Sequence, residues 1–145
     1  MATPITSRGL DIRDRSKLLG VQVIGLFQRL QGHSTARILA SQLLRAGTAI
    51  GANYRAACRA RSRREFIGKL GIVVEETDET LYWLDLFVST DLAREAQLAP
   101  IRKEAEELLR IFVASIATAR KGLRRFGNSH RKLTRGIADR SDIPR

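Results

Sequence analysis

Apolar residues recur along this chain at alternating steps of three and four, the spacing that draws one stripe down one side of an α-helix. Leu39, Leu43, Ala46, Ile50, Asn53 and Ala57 make one such stripe, and Phe66, Leu70, Val73, Thr77, Leu81, Leu84 and Val88 make a second. Only Ala60-Arg61-Ser62 separates them, so the pattern predicts two long amphipathic helices folded into a hairpin. Ile12, Ser16, Leu19, Val23, Leu26 and Leu30 predict an earlier helix over 12–31, closed by Gly32. Ser34 or Thr35 can cap the second helix, which the pattern carries to Arg59. After a loop of about ten residues, Pro100 suits the first turn of a fourth helix, whose stripe is Ile101, Ala105, Leu108, Phe112, Ser115, Ala119 and Leu123.

Helical periodicity, three prolines and few β-branched runs predict an all-α protein. A chain of 145 residues suits one folded unit, and short connections favour an antiparallel up-down-up-down four-helix bundle over 1–126. From Gly127 the sequence is polar and basic with no helical period, which predicts a flexible basic tail over 127–145. Ser62 and Glu65 have the spacing of a capping box for the third helix, worth about 1 kcal/mol through the serine. Asn53 falls on an apolar stripe, where an unpaired amide is costly, and is expected to be a buried polar group that sets register. Leu18, Val21 and Ile24 lie off the first stripe, as a partner surface or as ordinary exposed aliphatics.

Charge sharpens this picture. The chain has 26 Lys and Arg against 15 Asp and Glu, a formal charge of +11, which favours contact with nucleic acid or another polyanion. Arg55, Arg59, Arg61, Arg63, Arg64 and Lys69 crowd the hairpin turn with only Glu65 to offset them. Folding the hairpin about residue 61 brings Arg45 near Glu76 and Arg37 near Asp85, which neutralises its upper part and leaves the turn basic. In an up-down-up-down bundle, Arg8, Arg13, Arg15 and Lys17 share a pole with that turn and with Arg120, Lys121, Arg124 and Arg125. Glu95, Glu104, Glu106 and Glu107 are expected towards the other end. Trp83, with Ile72 and Leu86 beside Glu75 and Glu79, marks a candidate subunit contact on the third helix.

Several function classes fall away. Cys58 is the only cysteine, so no internal disulfide or cysteine metal site forms within one chain, which suits a reducing cytoplasm. No signal peptide is recognisable at the N-terminus, and no apolar run approaches the ~18 residues that span a bilayer. His33 and His130 have no ligand spacing, and no phosphate-binding glycine loop is present. Glu75, Asp78 and Glu79 have no histidine partner and fit a salt-bridge face better than a catalytic site. Cys58 has basic neighbours but no recognisable base. A soluble cytoplasmic protein without cofactor, metal or catalytic activity is the expectation.

Gln42, Arg45-Ala46, Ile50, Asn53, Arg61-Ser62, Glu65-Phe66-Ile67, Leu70, Ile72 and Glu79 fit without gaps the pattern of a known family. In these residues the chain resembles the bacterial 23S ribosomal RNA intervening-sequence proteins. The resemblance is strong over helices two and three and rests on pattern alone elsewhere. It implies an antiparallel four-helix bundle that assembles into a ring, typically a homopentamer, and that associates with nucleic acid. Some members of that family are encoded within insertions in ribosomal RNA genes, and distant relatives are accessory proteins of diversity-generating retroelements. This chain departs from the family in having Tyr54-Arg55-Ala56-Ala57 where Ile-Ala-Glu-Gly is usual, and Glu75-Glu76 where Gly-Ser is usual. The first change makes the turn more basic. The expected function is an oligomeric, non-catalytic nucleic-acid-binding accessory protein, RNA favoured, that contacts phosphates through the basic pole. The alternative is a structural or protein-interaction bundle that docks an acidic protein partner; membrane attachment is not expected, since no basic segment carries a strongly inserting apolar face.

Overall fold

A computed structural model describes the backbone of residues 11–30, 32 and 34–138, with side chains through residue 128. Four helices account for nearly all of it: α1 (Ile12–Arg29), α2 (Ser34–Cys58), α3 (Arg63–Ser89) and α4 (Glu95–Ala138). Each packs on its chain neighbours, and α4 returns to touch α1, which closes an antiparallel up-down-up-down four-helix bundle. The core comes from the stripes. Leu19, Val23, Leu26, Leu43, Ile50, Leu70, Val73, Leu84, Leu108 and Phe112 are all fully or almost fully buried. Buried hydroxyls stay within their own helices, as Thr77 donating to the Val73 carbonyl at 2.7 Å and Thr80 to that of Glu76 at 2.8 Å show.

Backbone approach fixes how α1 sits on α2. A Cβ on Gly47 would come within 2.8 Å of Val23, and one on Gly51 within 3.2 Å of the Ser16 carbonyl oxygen. Larger residues there would push the two helices apart. The remaining seam, between α1 and α4, is closed by charge. Arg15 Nε donates to Glu104 Oε1 at 2.8 Å, and its Nη2 donates to Glu107 at 2.9 Å. The side chains of Arg15 and Glu104 are each only 13% exposed, and the bond to Glu104 is the chief reason the guanidinium is held still further above its usual pKa.

Helix boundaries differ from the sequence reading at three places. α1 stops at Arg29 with Leu30 as its C-cap; the expected last residue, Gln31, lies outside the described residues. Ser34 is itself helical, so neither it nor Thr35 is the cap that starts α2. The third difference is the largest. α4 begins at Glu95, leaving Pro100 inside the helix instead of in its first turn. The start is fixed by Gln97, whose side chain accepts from the Arg94 N–H at 3.0 Å, and by the way α3 ends. Thr90 caps α3, Asp91 takes the left-handed conformation at φ 57°, and the Leu92 and Asp91 N–H groups bond the Phe87 and Val88 carbonyls. That is a Schellman turn with Asp where glycine is usual, and it reverses the chain at once. α4 also continues helically from Gly127 to Ala138, where an aperiodic tail was expected. A helix satisfies its own backbone bonds, and arginine and lysine are good helix formers, so such an extension needs no apolar stripe. Residues 139–145 lie outside the described residues.

Candidate functional site

The α2–α3 turn is built by its own side chains. The last turn of α2 tightens, with the Arg59 and Ala60 N–H groups donating to the Ala56 and Ala57 carbonyls at 3.1 and 3.0 Å. Ser62 then caps α3 by accepting from the Glu65 N–H at 3.0 Å. Glu65 reaches back past Ser62 and accepts from the Arg61 N–H at 2.8 Å, one residue earlier than a standard capping box. That backbone bond is the main reason its carboxyl is held below the usual range, and Arg61 and Lys69 add to it from 3.5 and 3.6 Å. Glu65 is therefore fully engaged in the turn.

Among the described residues no carboxylate pairs with Arg55, Arg59, Arg63 or Arg64, and all four are exposed. Two shallow grooves join them to their neighbours. Arg13, Lys17 and Arg55 line one between α1 and α2, and Arg55, Arg59 and Lys69 line the next between α2 and α3. Arg55 belongs to both and links the cations at the start of α1, where Asp14 also lines the groove, to those of α2 and α3. On the far side Arg63 crosses to α4, where its guanidinium lies 5.7 Å from the centroid of the Phe126 ring and beside Gly122. Arg120, Lys121, Arg124 and Arg125 are exposed on the same part of α4.

The convergence expected of the pole holds for Arg13, Lys17, the turn and the end of α4, with two corrections. Arg15 does not join the cationic surface, because Glu104 and Glu107, expected towards the other end, lie next to it near the start of α1 and hold it in the α1–α4 seam. Arg8 lies outside the described residues. Higher in the hairpin, Arg45 meets Glu76 as expected and also Glu79. Arg37 does not meet Asp85, which instead accepts from Arg102 of α4 at 2.5 Å, while Arg102 also holds Glu95 at 2.8 Å. The early start of α4 explains this, since it brings Arg102 within reach of the end of α3.

The expected subunit-contact residues fall into two groups. Ile72 and Glu75 are exposed, Ile72 to 44%. Glu79, Trp83 and Leu86 are half-buried, and Glu79 accepts from both Arg45 and the Trp83 indole N–H, the latter at 3.0 Å. These bonds, Arg45 first, hold the Glu79 carboxyl below its usual range. The Trp83 ring packs against the core rather than standing free. Asn53 is half-buried rather than fully buried, and its amide donates to the Ala49 carbonyl of its own helix at 2.9 Å. Tyr54 turns inward onto Phe112, with ring centroids 5.5 Å apart, and burial pushes its hydroxyl up to about 12. It is not a free stacking surface. The aromatic ring the sequence reading passed over is Phe126, 70% exposed beside Arg124 and Arg125. Its signal was present as an aromatic closing a basic run just past the last stripe residue.

Fold and site together define a four-helix bundle with one strongly cationic pole. The model of the 23S rRNA-intervening sequence protein family matches residues 8–114, and the chain belongs to that family. A crystal structure of a protein of unknown function from the S23 ribosomal protein family of Bacteroides thetaiotaomicron VPI-5482 is similar, at 34% identity and a TM-score of 0.69 over 73% of this chain and 98% of that one. No curated protein matches the chain. Among the described residues no helix is long and apolar enough to cross a membrane, and no group of His, Cys, Asp or Glu could hold a metal ion.

Proposed function

We propose that this protein is a non-catalytic nucleic-acid-binding accessory protein that takes RNA on its cationic pole. One observation carries the reading: among the described residues Arg55, Arg59, Arg63 and Arg64 around the α2–α3 turn have no carboxylate partner, whereas Arg15, Arg45 and Arg102 in the body of the bundle all have one. Unpaired guanidinium groups at one end suit a ligand that supplies a row of phosphates. Family membership favours RNA, and the same resemblance favours a ring of subunits, which would repeat the pole around an axis. Phosphate contacts from Arg55, Arg59, Arg61, Arg63, Arg64 and Lys69, joined by Arg120, Lys121, Arg124 and Arg125, supply most of the affinity in this reading.

Binding to fluorescent RNA across a salt series tests it, with particle mass recorded alongside. About five phosphate contacts predict a log-log slope of roughly −3.5 to −4.5. Replacing Arg59, Arg61, Arg63 and Arg64 together by alanine removes up to four contacts and flattens the slope by about 3. An unchanged slope and affinity in that variant would show the pole is not the site. Binding to an acidic protein but to no RNA at physiological salt would turn the surface into a protein-docking one.

A further inference from the structure

Phe126 is the most exposed large hydrophobic side chain among the described residues, at 70%. Burying a phenylalanine is favourable, so a ring left in water on a helix already rich in cations calls for a reason. Its setting supplies one. Arg63 crosses from the α2–α3 turn and lays its guanidinium over the ring, 5.7 Å from the centroid, within cation–π range. Gly122, one turn earlier on α4, leaves the space for that crossing: a Cβ there would lie 1.4 Å from Arg63 Nη1. Glycine within a helix is disfavoured against alanine, so the notch is held against local preference. Two helices thus cooperate to place a cation against an aromatic ring whose remaining surface faces solvent. All of α4 from Ser115 on lies past the family match, which ends at residue 114.

We infer that Phe126, backed by Arg63 seated at Gly122, is a stacking platform for an unpaired base, so that the cationic pole takes single-stranded RNA in preference to duplex. The inference rests on the polyanion reading of the pole and adds the substrate class. A flat ring offers its face to any base, whereas a base inside a duplex has both faces covered by its neighbours. The surrounding Arg124, Arg125 and Lys121 hold the flanking phosphates while the ring takes the base. Stacking of this kind is worth ~1–3 kcal/mol per base, a factor of roughly 5 to 150 in affinity, and depends little on which base is present.

The test compares three probes with the full-length protein: a short single-stranded RNA, the same length of abasic strand, and duplex RNA. Wild type should bind the base-bearing strand at least about 5-fold more tightly than the abasic one. Phe126→Ala should abolish that difference and leave duplex affinity unchanged, while Phe126→Trp retains it. Gly122→Ala, which displaces only the mobile end of the Arg63 side chain, should weaken base-bearing strand binding while the fold stays intact by circular dichroism. Equal affinities of wild type for base-bearing and abasic strands would overturn the platform but leave the phosphate site standing. No salt-sensitive binding to any probe would overturn both. A change of particle mass in Phe126→Ala would assign the ring to a subunit contact and overturn the platform.

Discussion

Arg45 and Arg59 lie on the same face-out side of the hairpin and differ in what surrounds them. Arg45 sits opposite the acidic part of α3, where Glu76 and Glu79 take its guanidinium and Glu79 also holds the Trp83 indole. Arg59 sits just past the end of α2, where the carboxylate of the turn, Glu65, is already committed to the Arg61 backbone and to Lys69. Identical side chains therefore become a structural tie in one region and an open cation in the other. The difference separates charge that holds the bundle together from charge available to a ligand. Counting arginines cannot make that separation, because the number is the same whether or not an acid stands within reach.

Removing a tied arginine should damage the fold, and removing an open one should not. Arg15→Ala removes the paired bonds that Glu104 and Glu107 accept across the α1–α4 seam, and urea unfolding should show a loss of about 2 kcal/mol. Replacing both partners, Arg15→Met with Glu104→Gln, should recover most of that loss. Recovery failing would mean that the seam depends on shape more than on charge. Ser62→Ala should cost about 1 kcal/mol through the lost cap, a stability change at the pole that comes from the backbone and not from the cations. At the opposite end, Asp91→Gly should raise stability by roughly 0.5 kcal/mol, since glycine takes the left-handed conformation without penalty.

Open cations predict the smallest change. Arg59→Ala with Arg64→Ala should stay within about 0.5 kcal/mol of wild type in the same unfolding experiment, while RNA affinity falls. Equal damage from this pair and from Arg15→Ala would erase the distinction between the two regions. A pH series gives the finest contrast. Glu79 is held below its ordinary value, first by Arg45, so its contribution to stability is present above about pH 4.5 and is lost as pH falls through the lowered value. Arg45→Gln should therefore be less stable than wild type near neutral pH, with the gap closing in acid. A gap that persists below that window would show that Arg45 acts by packing.

Much of the fold was legible in the stripes. Ser16, Leu19, Val23 and Leu26 on α1, Leu30 at its C-cap, and Leu70, Val73, Thr77 and Leu84 on α3 were placed inward by spacing alone and are buried. The Ser62 cap and the Arg45–Glu76 pairing also follow from local sequence, since both depend on residues brought together by one short turn. The start of α4 was not legible, because Pro100 pointed to a helix start that Gln97 and the Asp91 turn override. The helix beyond Gly127 was not read from periodicity either, since Leu133 and Ile137 are its only large apolar residues up to Ala138.

The sequence by itself determined four amphipathic helices, their antiparallel order and an excess of cations near the hairpin turn, because these depend on spacing and short connections. Tertiary structure decided which of those cations are free. Arg15 is taken by acids 89 and 92 positions away, and Asp85 is taken by Arg102 of α4 and not by Arg37. It also decided that Tyr54 faces the core and Phe126 faces water under Arg63. Pairing between charges and rings depends on a few ångströms between helices, and only packed helices set that distance.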